Sequence, residues 1–102
     1  MSKIISGSTE VTTTGTPVPL TTGGPEITAA LEVQITCDAS NVGTVCVVGD
    51  KNVKAKKTIG ASRGIVMEKK QAPIRLETAD PSQVYVDAEK SGDYVNWIAV
   101  MP

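Results

Sequence analysis

Few residues in this chain could carry chemistry. Cys37 and Cys46 are its two cysteines, and none of the 102 residues is a histidine. Without imidazole the chain lacks the usual general base near neutral pH, so Ser-His-Asp and Cys-His arrangements are excluded. Zinc sites that use imidazole are excluded with them, and a four-cysteine site cannot be made from two. Three readings of the cysteines remain: two buried free thiols acting as small apolar side chains, a disulfide, or a metal or catalytic thiol with no partner residue types to support it. Gly60 and Gly64 are followed by Ile65 and Val66, so the Lys-Ser/Thr ending of a phosphate loop is missing. The carboxylates Asp80, Asp87, Glu89 and Asp93 fall at expected turn borders. Their run D-A-E-K-S-G-D lacks the spacing of a helix–loop–helix calcium site, and ordinary turn residues are the simpler reading. Spacing alone does not remove a glycosidase carboxylate pair, but one small aliphatic domain offers little room for a substrate cleft. No catalytic, cofactor-binding or metal-ligating residue is assigned, no cofactor is expected, and the chain reads as a non-enzyme.

The elements that would position these residues are strands. The length suits one domain and is too short for two sizeable cores. There are 13 Val and 12 Thr but one Trp, two Tyr and no Phe. β-Branched side chains crowd a helix and fit a pleated sheet, so the composition favours an all-β domain with a small-aliphatic core. The stretch 31–49 organises the rest. Leu31, Val33, Ile35 and Cys37 alternate with Glu32, Gln34 and Thr36, the period of a half-buried strand. Turn-forming residues follow over 38–43, then the apolar run Val45 to Val48. The simplest reading is a β-hairpin that sets Cys37 opposite Cys46.

Around it, the Thr-rich segment 1–14 reads as an extended N-terminal arm or edge strand, with Gly7 a possible bend, and 15–102 as a single β domain. Pro17 and Pro19 confine their segment to an edge, anchored by Val18 and Leu20. Gly23-Gly24-Pro25 reads as a turn into a strand starting near Ile27. A helix over 62–71 competes with a loop, short strand and turn; Gly64 and the β-branched pair after it favour the latter. Pro73 to Glu77 and Val84 to Ala88 are strands, separated by a turn or single helical turn at Thr78 to Ser82. The last strand is Tyr94 to Met101, with Val95, Trp97, Ala99 and Met101 on one face. The total is about seven to eight short strands, which points to a small β-sandwich or barrel, jelly-roll-like.

Net charge is −1, which gives no general pull on nucleic acid or an acidic membrane. No apolar stretch approaches bilayer-spanning length, and the first ten residues lack a signal-peptide core. The expected setting is therefore the cytoplasm, with neither nucleic acid nor membrane as partner. The one basic patch is Lys51, Lys54, Lys56 and Lys57. It reads either as a solvated or edge-protecting loop or as a contact for an acidic partner surface; it has no interleaved aromatics for stacking bases. The second arm and the last strand are apolar on both faces. A two-layer domain covers only inner faces, so Val45, Val47, Ile98 and Val100 form a candidate self-association face. The alternative is that loop 51–72 folds over them within one chain.

The order of segments resembles a group of small virion proteins of tailed bacteriophages, encoded among head genes. The residues that carry the resemblance are V-T-T-T-G-T-P-V-P-L at 11–20, N-V-G-T-V-C-V-V-G-D at 41–50, V-Y-V-D-A at 84–88 and S-G-D-Y-V at 91–95. The resemblance implies a capsid decoration or head-fibre protein with no catalytic residue, made in the host cytoplasm and carried on the outer head surface. It implies the major capsid protein as partner and favours a homotrimer, since head accessory proteins often sit where three capsomers meet. Two other readings stand beside it. One is a carbohydrate-binding module for a host surface, which would need Tyr85 and Trp97 exposed side by side; the other is a tail or connector component.

Overall fold

Opposed apolar strand faces stack most economically as two sheets, and the computed structural model has that form. It describes residues 3–22, 24, 29–55 and 64–102. Eight strands run in order: β1 (Lys3–Val11), β2 (Val18–Pro19), β3 (Ala30–Cys37), β4 (Val45–Gly49), β5 (Ile65–Glu68), β6 (Ile74–Ala79), β7 (Tyr85–Ala88) and β8 (Asp93–Met101). They form two four-stranded antiparallel sheets, β1-β8-β3-β6 and β2-β7-β4-β5, packed as a β-sandwich. The pairing is nested: β1 with β8, β2 with β7, β3 with β6 and β4 with β5. The first half of the chain thus pairs with the second half in reverse order, like one long antiparallel ribbon folded on itself.

The core lies between the sheets. Val33, Ile35 and Cys37 of β3 and Val95, Trp97 and Ala99 of β8 meet Cys46 and Val48 of β4, Met67 of β5, and Val86 and Ala88 of β7. Alternation in β3 and β8 sends these side chains inward and sets Glu32, Gln34, Thr36, Tyr94 and Asn96 on the other face, where Ile98 and Val100 join them. Trp97 is the one large core residue. Its indole N–H donates to Thr9 Oγ1 at 3.2 Å, and the buried Thr9 hydroxyl donates on to the Leu20 carbonyl. Gly7 pairs with Trp97 across β1 and β8. A Cβ there would sit 2.8 Å from the indole Cζ2, so Gly7 gives clearance for the ring inside a continuous strand rather than a bend.

One expectation changes, and one alternative is resolved. The stretch 31–49 is not a hairpin: β3 and β4 belong to different sheets, joined by an arch over 38–44. A hairpin would set the dry faces of the two strands side by side, whereas the arch stacks Ile35 and Cys37 over Cys46 and Val48. Of the extended arm or edge strand expected over 1–14, the described residues form the edge strand. It runs from Lys3 to Val11, paired along its whole length with β8, and Thr9 and Val11 are buried.

Other readings stand. Pro17 lies just outside the short edge strand β2, and Leu20 anchors it in the core. The segment after Gly64 is a short strand and a turn, with Lys70 at φ 65°. Asp80 caps a single 3-10 turn at Pro81–Gln83, its carboxylate accepting from the Ser82 amide at 3.0 Å. The turn expected at Gly23 to Pro25 and the strand start near Ile27 lie largely outside the described residues.

Candidate interaction surfaces

The carboxylates prove to be fasteners. Asp87 lies on the outward side of β7, yet it has no exposed surface. Its Oδ2 accepts the Ala55 amide at 2.9 Å, and its two oxygens accept the Gly15 amide at 3.1 and 3.2 Å. It therefore pins both the turn before β2 and the segment after β4 onto the outside of the second sheet. Thr14 supports the same junction, its hydroxyl donating to the Ala88 carbonyl at 2.6 Å and its amide to Ser91 Oγ at 2.9 Å. Asp93 fastens the arch in the same way, accepting the Val42 and Gly43 amides at 2.9 and 2.8 Å. Glu89 accepts from the amide and hydroxyl of Thr44.

Asn41 completes the arch as a strand would. Its Oδ1 accepts the Tyr94 amide at 2.8 Å and its Nδ2 donates to the Tyr94 carbonyl at 2.9 Å. Acceptors already filled by main-chain amides are poorly placed to hold a metal or move a substrate proton. No group of three or more potential metal ligands occurs among the described residues. The contacts of Asp87, Asp93 and Asn41 tie the segments 11–20, 41–50 and 84–95 together. Gly15 meets Asp87, and Asn41, Val42 and Gly43 meet Asp93 and Tyr94, so pieces far apart in sequence hold one another.

The candidate self-association face divides. Val45 and Val47 are 8 % and 0 % exposed. Val53 and Ala55, held down by Asp87, cover Val47 together with the half-buried Tyr85. The first two members of the proposed face are therefore buried within the chain, and the covering segment follows β4 directly. Ile98 and Val100 do face outward, half-buried, on the far side of the first sheet. Val100 pairs with Ile4, which is 67 % exposed, and Ile98 with Ser6.

That outer face combines apolar and polar side chains. Ser6, Ser8, Gln34, Thr36, Asn96 and Ile98 line a shallow groove of about 410 Å³, closed at one side by Pro73. Its centre is uncharged, with Ser8 donating to Asn96 Oδ1 at 2.7 Å. Charge lies at the margin, where Arg75 pairs with Glu32. Tyr94 stands exposed at one end beside Glu10. The sequence showed these residues as the wet side of alternating strands, but not that three strands align them into one face.

In the basic patch, Lys51 and Lys54 are exposed, while Lys56 and Lys57 lie outside the described residues. Tyr85 and Trp97 are not side by side at the surface: Trp97 is buried in the core, and Tyr85 is half-buried against Val47 on the opposite sheet. The cysteines meet in the core as thiols, Sγ to Sγ at 2.9 Å, with Asn41 Nδ2 near both. The chain matches no family model, no curated protein and no solved structure.

Proposed function

We propose that this chain is a non-enzymatic structural protein of a phage particle, a decoration or cement protein on the outer capsid surface, and that its sandwich is a jelly roll. The observation that carries the reading is the nested strand pairing, β1·β8, β2·β7, β3·β6 and β4·β5. A ribbon rolled up in this order is jelly-roll connectivity, which recurs in viral capsid domains as well as in lectins and cupins. Fold alone does not choose among these. The buried carboxylates spent on main-chain amides and the lack of histidine weigh toward a role in surface contact. The resemblance in the order of motifs weighs in the same direction.

In this reading the open face of the first sheet, around Ile4, Ile98 and Val100, supplies the self-association surface, and the trimer favoured by the resemblance is the expected assembly. The major capsid protein is the second partner, with Lys51 and Lys54 at the edge of the covering segment available to acidic groups on it. Many weak copies on a symmetric shell would bind firmly through multivalency. Synthesis in the host cytoplasm precedes attachment to the head. Antibody against the chain, applied to intact particles and viewed by electron microscopy, should label the head. Label confined to the tail or connector would move the protein there, and unlabelled particles would end the reading.

A second reading, a carbohydrate-binding module, keeps one observation in its favour. The groove on the first sheet carries the hydroxyl and amide groups of Ser6, Ser8, Gln34, Thr36 and Asn96 beside Pro73 and Ile98. A glycan array that binds the wild-type chain, and loses binding with Asn96→Ala, would favour it over capsid attachment.

A further inference from the structure

We propose that Cys37 and Cys46 are an oxidation site, forming an intrachain disulfide that ties the two sheets of the sandwich together. The thiols come from opposite sheets, one at the end of β3 and one in β4, and meet in the core with their sulfurs 2.9 Å apart. The arch sets this meeting. Asn41 is bonded through both ends of its amide to Tyr94, and its Nδ2 lies 3.3 and 3.4 Å from the two sulfurs. Asp93 fixes the next two amides of the same arch. A disulfide has a bond of about 2.05 Å, so the sulfurs need to close by less than about 1 Å.

The contact also differentiates the pair. The hydrogen bond with Cys46 holds the Cys37 thiol below its ordinary value, at about 7, while the same bond and burial push Cys46 up. That difference belongs to the closed contact; once the arch opens, either thiol can be the attacking thiolate and the other the resolving thiol. With a small-molecule disulfide such as oxidised glutathione, the first thiol attacks one glutathione sulfur as its thiolate and the other glutathione leaves, taking up the proton that the thiol gave. The second thiol then loses its proton and attacks the sulfur of the first, expelling the second glutathione, which takes that proton. Two protein thiols are oxidised to one disulfide, and one glutathione disulfide is reduced to two thiols. Both sulfurs are buried, so exchange requires the arch to open; its outer residues Ala39, Ser40 and Val42 are exposed. The inference stands whether or not the chain is a capsid protein.

The test uses the full wild-type chain in glutathione buffers of increasing oxidation, quenched in acid, alkylated in denaturant and read by intact mass and peptide mapping. The expected product is a monomer two hydrogens lighter, with Cys37 and Cys46 joined and neither alkylated. The cysteines are nine positions apart, and closing so short a loop should raise the folded-to-unfolded ratio roughly a hundredfold. Reduction should reverse the gain in urea resistance. Two alkylatable thiols at every redox ratio, stable glutathione adducts, or disulfide-linked dimers alone would overturn the proposal. So would a closed bond that lowers urea resistance, since the native arrangement would then not accommodate it.

Discussion

Replacing Asp87 with alanine removes the carboxylate that holds two separate segments against the second sheet. The loss can be worked from its partners. The Ala55 amide is buried and would be left without an acceptor, which costs about 1–3 kcal/mol. The Gly15 amide is only partly buried, and water can replace part of its bond, leaving about 0.5–1.5 kcal/mol. The sum is roughly 1.5–4.5 kcal/mol, a large share of the ~5–15 kcal/mol typical of a small domain. Further loss follows if the freed segment lifts Val53 and Ala55 from Val47. Asp87→Asn keeps one acceptor oxygen and should cost less than Asp87→Ala. Asp50→Ala is the control: it removes an exposed turn bond to the Asn52 amide and should stay within about 0.5 kcal/mol. Urea unfolding followed by the fluorescence of Trp97 measures all three, and limited proteolysis reports whether segment 50–55 is released. Asp87→Ala within about 0.5 kcal/mol of wild type, with no new cleavage near residues 50–55, would refute the fastening role.

Three further outcomes are expected. Gly7→Ala places a Cβ against the Trp97 ring, at 2.8 and 2.9 Å from two of its atoms, and should cost about 1–3 kcal/mol with an altered Trp97 emission spectrum; unchanged stability would mean that β1 does not lie over the indole. Val47→Asp buries a charge under Val53 and Ala55 and should give little soluble folded protein, whereas Ile98→Lys on the open face should fold normally and, if that face self-associates, reduce the mass seen by light scattering. Deleting residues 2–10 removes most of β1, including Thr9 beneath Trp97, so circular dichroism should show a destabilised domain; an unchanged melting temperature would mean that β1 contributes nothing to the fold.

Strand positions were legible where a single physical signal governed them. The period-two alternation of β3 and β8 places Val33, Ile35, Cys37, Val95, Trp97 and Ala99 inward as expected, but Leu31, read on the same dry face, lies exposed near the strand's start. Pro17 and Pro19 correctly confined β2 to an edge, since proline cannot donate in a central ladder. What misled was adjacency. A turn-rich segment between two apolar strands looks the same in sequence whether it closes a hairpin within one sheet or an arch between two. The difference lies in Asn41, Val42 and Gly43 bonding to β8, fifty or more positions away. The double-sided apolar run at Val45 to Val48 left two covers open, a neighbouring copy or the loop 51–72, and for Val47 the loop is the one that forms. That cover is Val53 and Ala55, held by a carboxylate that the sequence presents only as a turn-border residue. Gly7 was ambiguous because its reason is the ring of a residue ninety positions later.

The central claim, attachment to the outside of a phage head, is tested most directly by cosedimentation of the purified chain with heads assembled without it, at near-physiological salt. The account predicts saturable retention on those heads, weakened by a substitution on the open face of the first sheet that leaves the fold intact. A chain that stays wholly in the supernatant at concentrations where it is folded would contradict it.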